Sequence, residues 1–68
     1  MFGNQEYSAP VTAGETYEVS IEDLAREGDG VAKVEGFIIF VPGTKVGDNV
    51  TIKVNKVMRK FAIAELVD

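Results

Sequence analysis

The most informative stretch of the chain runs from Gly28 to Val54, and it reads GDGVAKVEGFIIFVPGTKVGDNVTIKV. Three short runs rich in valine, isoleucine and phenylalanine are separated by turns that contain glycine, which is the pattern of strands joined by tight connections. Pro42 has no amide hydrogen to donate, so it ends the second run. No part of the stretch has the spacing of an amphipathic helix. The stretch therefore predicts a small all-β fold.

Alternation of apolar and polar residues outside this stretch completes a set of five strands. Tyr17, Val19 and Ile21 alternate with polar residues, which is typical of a half-buried strand. The predicted strands are Glu15–Leu24, Val31–Glu35, Phe37–Val41, Asn49–Val57 and Phe61–Val67. Such short strands joined by short loops favour a closed, OB-like β-barrel, because closure removes the exposed strand edges that promote aggregation.

The first twelve residues differ in composition from the rest of the chain. They are polar and rich in small residues, and Pro10 interrupts any helix there. We therefore expect a flexible N-terminal arm over residues 1–12 and a single barrel domain over residues 13–68.

The composition excludes several classes of function. The 68 residues include no cysteine and no histidine, so disulfides, the usual zinc sites and the commonest general base are excluded. The carboxylates and lysines lie mostly at outward strand positions, with no motif that would bury a pair of them. We expect no enzymatic activity, no metal and no cofactor. Because no apolar run spans a membrane and no signal-peptide pattern is present, we expect no membrane contact and a cytoplasmic location.

The net charge of −4 conceals an uneven distribution of charge along the chain. Residues 1–29 contain seven acidic residues and one basic residue, whereas residues 30–68 contain six basic and four acidic residues. Between Gly43 and Ala64 there are five basic residues and one acidic residue. A phosphate group senses charge over a Debye length of about 8 Å, so this basic segment matters more to it than the distant acidic one. The segment is either a phosphate-binding surface or a solvated hairpin.

Two phenylalanines, Phe37 and Phe61, lie close to basic residues in the sequence. If Ile38 and Phe40 fill the barrel, Phe37 points outward, and Phe61 is out of phase with the inward alanines of the last strand. Single-stranded nucleic acid binds to exposed aromatic rings beside basic groups, through base stacking and phosphate contacts. The alternative is that both rings belong to the core, where we also expect Phe40 and Tyr17.

Four short motifs together resemble the TRAM domain, and more narrowly the stand-alone TRAM proteins of archaea. In chain order they are Gly28-x-Gly30-Val31-Ala32, Phe40-Val41-Pro42-Gly43, Gly47-Asp48-x-Val50 and Phe61-Ala62-x-Ala64-Glu65. Each motif is weak alone, but their order and spacing over Val11–Val67 are specific. The resemblance implies an OB-like barrel that binds RNA. Such a domain is either a module of enzymes that modify tRNA and rRNA or, alone, an RNA chaperone linked to cold response.

The binding surface of that family uses aromatic and basic residues on the barrel and its loops. The matching positions, with Lys56 added for its place in the basic segment, are Lys33, Phe37, Lys45, Lys53, Lys56, Arg59, Lys60 and Phe61. We expect a monomer that binds single-stranded or weakly structured RNA (tRNA, rRNA or mRNA) with little sequence preference, and that loosens pairing without ATP. The alternative is an interaction module whose acidic N-terminal third docks on an RNA-modification enzyme or the ribosome.

Overall fold

The computed structural model describes residues 9–67, and their regular structure consists of strands alone. The strands are β1 (Thr16–Leu24), β2 (Gly30–Val34), β3 (Phe37–Val41), β4 (Asn49–Val57) and β5 (Phe61–Leu66). Each strand begins and ends within one residue of its predicted bounds. The all-β prediction is confirmed.

The strands close into a barrel in the order β1-β2-β3-β5-β4, with β4 returning to pair with β1. Every neighbouring pair is antiparallel except β3 and β5, which run parallel. The register shifts between Ile21 and Asp23 in β1 and between Val54 and Lys56 in β4. Such bulges bend a strand and increase its twist, which lets a small sheet close on itself. The predicted five-stranded barrel is therefore confirmed.

Inward-facing side chains of the strands fill the barrel. The buried hydrophobic residues, each at most 4% exposed, are Val11, Ile21, Ala32, Ile39, Val41, Ile52, Val54, Ala62 and Ala64. All are alanine or β-branched, because a narrow barrel accepts only compact side chains at its centre. Half-buried side chains pack around this centre, namely Tyr17, Val19, Val34, Phe37, Val50 and Val57.

The N-terminal segment joins the folded domain earlier than the sequence predicts. Val11 lies within the expected arm of residues 1–12, yet it is only 4% exposed and packs in the core. The backbone N–H of Thr12 donates a hydrogen bond to the Tyr17 hydroxyl at 2.8 Å, and the Gly14 N–H donates to the Val54 carbonyl at 2.7 Å. Residues 11 and 12 therefore belong to the barrel domain. Residues 1–8 of the expected arm lie outside the described part of the chain.

The barrel has two ends that differ in their connections. Because β3 and β5 run parallel, the turns that precede them, Glu35–Gly36 and Met58–Lys60, lie at the same end, here called the hairpin end. The β1–β2 loop (Ala25–Asp29) and the β3–β4 loop (Pro42–Asp48) lie at the opposite end, here called the loop end. This division determines which residues can share a surface.

A close contact between Gly30 and Thr44 joins the β3–β4 loop to β2. Thr44 is 7% exposed, and its Oγ1 donates a hydrogen bond to the Val41 carbonyl at 2.8 Å. A Cβ atom at Gly30 would overlap Oγ1 of Thr44 and lie 3.0 Å from Cγ2 of Ile21. Glycine at the start of β2 therefore leaves room for the buried hydroxyl.

The faces of β3 are reversed from those expected. Ile39 and Val41 are 0% exposed and Phe37 packs against the core, so Phe37 faces inward while Ile38 and Phe40 occupy the alternate, outward positions. The predictions that Phe37 points outward and that Phe40 belongs to the core are wrong. All five residues of β3 are apolar, so the alternation within this strand does not distinguish its faces.

Candidate nucleic-acid interface

The outer face of β2, β3 and β5 carries a continuous apolar surface. Two rows of paired residues cross it, Val31–Phe40–Ile63 and Lys33–Ile38–Phe61. The apolar members, here called the outer platform, are Val31, Ile38, Phe40, Phe61 and Ile63. Directly paired residues of neighbouring strands have Cβ atoms about 4.5–5.5 Å apart, so these side chains form one surface rather than isolated contacts.

Two phenylalanines form the centre of the outer platform. The ring centroids of Phe40 and Phe61 lie 5.5 Å apart with the planes at 75°, an edge-to-face contact that stabilises both orientations. Both rings are half-buried, and the neighbouring Ile63 is 36% exposed. Phe61 therefore lies outside the barrel, as its phase relative to Ala62 and Ala64 predicts. Partly exposed rings held in place suit the flat face of a nucleobase.

Basic side chains border the outer platform on three sides. Lys33 lies at its β2 edge, and Lys56 of β4 pairs across to β5 on the other edge. Arg59 and Lys60 occupy the turn at the hairpin end. All of these side chains are exposed. Long, flexible cations around an apolar centre can follow the phosphates of a chain whose bases lie on that centre.

Two predicted lysines lie beyond the outer platform, towards the loop end. Lys45 is in the β3–β4 loop at the loop end, where its backbone N–H donates a hydrogen bond to the Asp48 carboxylate at 3.0 Å. Lys53 pairs with Glu65 of β5 and with Thr16 of β1, so it lies beside a carboxylate, one row beyond the Lys56–Ile63 pair towards the loop end. The structure brings the other predicted cations and Phe61 together and leaves these two lysines outside.

Four members of the outer platform are missing from the sequence prediction, namely Val31, Ile38, Phe40 and Ile63. The residue pairing of the β2–β3 hairpin indicates which residues of β3 face outward. Its two-residue turn pairs Val34 with Phe37 and Ala32 with Ile39, and directly paired residues share a face of a sheet. Once Ala32 and Val34 are placed inward, Phe37 must also be inward.

At the loop end, the outer platform continues into an open pocket of about 320 Å³. It is lined by Ala25, Arg26, Glu27, Asp29, Phe40, Pro42 and Ile63. The two side chains from the outer platform and the proline form an apolar floor, and the β1–β2 loop supplies charged groups along one wall. We refer to this site as the loop-end pocket.

The acidic residues of β1 run from the β1–β4 side of the barrel to the edge of the outer platform. Glu18, Glu22 and Asp23 are exposed on this strand. Glu18 pairs with Thr51 of β4, whereas Asp23 pairs with Val31 of the outer platform. A shallow, largely polar groove follows the β1–β4 pair there, and Ser20 Oγ donates a hydrogen bond to Asn49 Oδ1 at 2.6 Å beside it. The carboxylate of Glu18 thus lies away from the basic side chains around the outer platform, whereas Asp23 lies at the platform's edge.

Among residues 9–67, no group of three or more histidine, cysteine, aspartate or glutamate side chains is placed to hold a metal ion. In the same residues, each buried side-chain nitrogen or oxygen atom has a hydrogen-bond partner. The described part of the chain also lacks a helix long and apolar enough to cross a membrane.

A family model described as the TRAM domain matches residues 10–67 of this chain. The chain belongs to the TRAM domain family. The matched residues include the whole barrel and the buried Val11 that precedes it. An uncharacterized protein of Methanocaldococcus jannaschii is 53% identical over 60 residues, which are 88% of this chain and 78% of that protein.

The same fold occurs in a conserved protein of Methanococcus maripaludis whose solution structure is known. That protein is 45% identical and has a TM-score of 0.89, with 100% of this chain and 99% of that chain covered. The likeness therefore extends over nearly the whole of that solved chain.

Longer proteins contain a related segment. A ribosomal RNA large subunit methyltransferase E of Natronomonas pharaonis is 43% identical over 68 residues, which are 100% of this chain but 27% of the enzyme. A translation initiation factor 2 subunit beta of Methanothrix thermoacetophila is 47% identical over 58 residues, which are 85% of this chain and 28% of the factor. The chain thus spans about a quarter of the length of these relatives.

Proposed function

We propose that this protein binds single-stranded or weakly structured RNA on the outer platform and does not itself catalyse a reaction. The observation that carries the proposal is the placement of two partly exposed phenylalanine rings among exposed basic side chains. Membership of the TRAM domain family supports it. The longer relatives support it as well, because their names place them in ribosomal RNA methylation and translation initiation.

In the proposed complex, bases pack on Phe40, Phe61 and Ile63 while Lys33 and Lys56 contact phosphates from either side. Base–aromatic stacking contributes about 1–3 kcal/mol per base and depends little on sequence. Phosphate contacts add an attraction that weakens as salt rises. Arg59 and Lys60 extend the phosphate path at the hairpin end, and Lys45 and Lys53 would meet only a longer RNA. Phe37 faces the barrel interior and is not part of this surface.

This mode of binding supports an RNA chaperone activity. A surface that holds unpaired bases binds the open form of an RNA hairpin better than the closed form, and it therefore shifts the equilibrium towards opening without ATP. The net charge of −4 keeps phosphate attraction modest, so the RNA is released again. Such an activity has most use in the cold, where RNA pairing is strongest. We propose that the protein acts in this way as a cytoplasmic monomer.

The first test is an NMR titration of the labelled protein with a short unstructured RNA at low and moderate salt. We expect chemical-shift changes concentrated on β3, β5 and Lys33, and we expect these changes to fade as salt rises. The β1 residue Glu18, on the acidic side, serves as an internal control that stays unchanged. Absence of shifts at low salt would exclude direct RNA binding by this chain.

A second test separates chaperone activity from binding. An RNA hairpin with a fluorophore and a quencher at its ends reports opening directly. We expect excess protein to raise the fluorescence, and Phe61→Ala to remove the effect while the variant stays folded. A protein that binds single-stranded RNA but leaves the hairpin closed would retain the RNA-binding proposal and lose the chaperone one.

A second candidate function is docking on an RNA-modification enzyme or the ribosome. It is favoured by relatives in which a segment like this chain makes up about a quarter of a larger protein. The exposed carboxylates of β1 would then form the docking face. The test is complex formation with a purified RNA-modification enzyme or ribosomes after nuclease treatment. Loss of that complex in Glu18→Gln/Glu22→Gln, with RNA binding unchanged, would support this function.

A further inference from the structure

The loop-end pocket combines an apolar floor with two carboxylates. Phe40 and Ile63 belong to both the outer platform and the pocket floor, so a chain of bases lying on the platform reaches the pocket without a break. Asp29 is half-buried and Glu27 exposed along the wall. Their side chains take part in none of the hydrogen bonds found among residues 9–67. The acceptor oxygens are therefore available to a ligand.

Backbone hydrogen bonds fix the loop that carries these carboxylates. The Ala25 N–H donates to the Asp29 carbonyl at 2.7 Å, and the Gly28 N–H donates to the Ala25 carbonyl at 2.9 Å. Gly28 has a φ of 96°, a conformation that glycine adopts without strain. The loop is thereby closed on itself, and a ligand loses little binding free energy in ordering it.

We propose that the loop-end pocket binds one unpaired guanine base of a bound RNA, an inference that rests on the proposed RNA binding by the outer platform. An ionised carboxylate only accepts hydrogen bonds. The Watson–Crick edge of guanine offers two adjacent donors, the N1–H and the exocyclic amino group, which a carboxylate accepts as a pair. Unpaired bases are read on this edge in single-stranded RNA.

The other bases fit this wall less well. Adenine and cytosine offer one amino donor beside a ring nitrogen acceptor, and uracil offers one N–H between two carbonyl oxygens. Each would bring a lone pair towards Asp29 or Glu27, and that contact is repulsive. The pocket volume of about 320 Å³ lies at the lower end of small-ligand sites, which suits one base with its sugar outside. Arg26 on the same loop is placed for the phosphate of that nucleotide.

The test compares the affinities of the full chain for a short oligouridine and for versions in which one central base is guanine, inosine, adenine or cytosine. We expect guanine to raise affinity about five- to tenfold over uridine, the size of a good bidentate base contact. Inosine keeps N1–H but lacks the amino group, so we expect a smaller gain. We expect adenine and cytosine to give none.

Asp29→Asn and Glu27→Gln identify the groups responsible. The substitutions keep the shape of each side chain but remove the paired acceptor, so at least one should abolish the preference for guanine. Glu18→Gln makes the same change in net charge on the β1 side and should preserve the preference. Equal affinity for all bases, or a preference that survives both pocket variants, would overturn the proposal. Failure of every RNA to bind, the oligouridine included, would overturn RNA binding itself.

Discussion

Single residues decide how tightly this small barrel packs. The side chains at its centre are 0–4% exposed, and protein interiors have few voids. A change of one heavy atom in this core therefore changes the stability of the barrel. Gly30 makes room for the Thr44 hydroxyl, and the faces of β3 separate Phe37, which supports the core, from Phe40, which forms the surface.

Gly30→Ala should lower the free energy of unfolding by about 2–3 kcal/mol, because the added methyl group overpacks a filled site. The atom that it meets is the Thr44 hydroxyl oxygen. Urea unfolding monitored by circular dichroism measures the change. The control is the same substitution in a Thr44→Ala background. There the added methyl group no longer meets the Thr44 hydroxyl oxygen, so the loss in free energy of unfolding should be smaller. An equal cost in both backgrounds would contradict the assigned clash.

Phe61→Ala and Phe37→Ala should affect different properties, RNA affinity in the first case and stability in the second. Phe61 lies on the outer platform, so its removal should weaken binding to a short RNA about tenfold, in line with one lost stacking contact. Phe37 packs against the core, so its removal should lower the free energy of unfolding by about 2–3 kcal/mol. RNA affinity and urea unfolding of both variants check the assignment. If Phe61→Ala retains its RNA affinity, the Phe61 ring is not part of the interface.

Among the elements, the β2–β3 hairpin sets the register on which the site depends. Its two central residues, Glu35 and Gly36, have φ values of 53° and 83°, as a type I′ turn requires. Glutamate rarely adopts a positive φ, whereas asparagine followed by glycine is the favoured pair. The hairpin therefore carries a local strain that the rest of the barrel compensates.

Glu35→Asn should raise the free energy of unfolding by about 0.5–1 kcal/mol, because asparagine tolerates the left-handed conformation better than glutamate. The control is Glu35→Gln, which removes the same charge without favouring that conformation. Urea unfolding of both variants separates the two effects. Equal stabilisation by asparagine and glutamine would indicate charge rather than backbone conformation as the cause.

At the scale of the whole molecule, exposed basic side chains cluster around the outer platform. They lie on β2, β4 and the β4–β5 turn, whereas Glu18 lies on the β1–β4 side of the barrel. A net charge of −4 is therefore compatible with a locally positive surface, because screening limits the reach of distant charges to about one Debye length. RNA affinity should follow this local surface.

Lys56→Gln/Lys60→Gln should weaken RNA binding and reduce the slope of log affinity against log salt by about 1.4, at about 0.7 for each phosphate contact on a single strand. Fluorescence anisotropy at several salt concentrations measures the slope. The pair Lys45→Gln/Lys53→Gln changes net charge equally but lies beyond the outer platform towards the loop end, so with a short RNA its slope should change less. An equal reduction of the slope in both double variants would show that the phosphates do not bind specifically around the outer platform.

Local rules in the sequence were sufficient for the strands, because β2 and β3 end beside Gly36 and Pro42 and the other three strands follow an alternating pattern. The inward face of β4 and the outward position of Phe61 followed from the same alternation. The burial of Val11 could not be predicted in this way, because a single valine in a polar segment forms no alternating pattern. The faces of β3 required the turn register as well, because every residue of that strand is apolar.

The all-β class, the number of strands and the basic character of the C-terminal half followed from the sequence, because these depend on local pattern and composition. Tertiary structure was needed to distinguish the apolar residues of the core from those of the surface. It alone placed β3 beside β5, joined Phe40 to Phe61, and brought the β1–β2 loop to the end of the same platform. These are contacts between residues far apart in the chain, and closure of the barrel creates them.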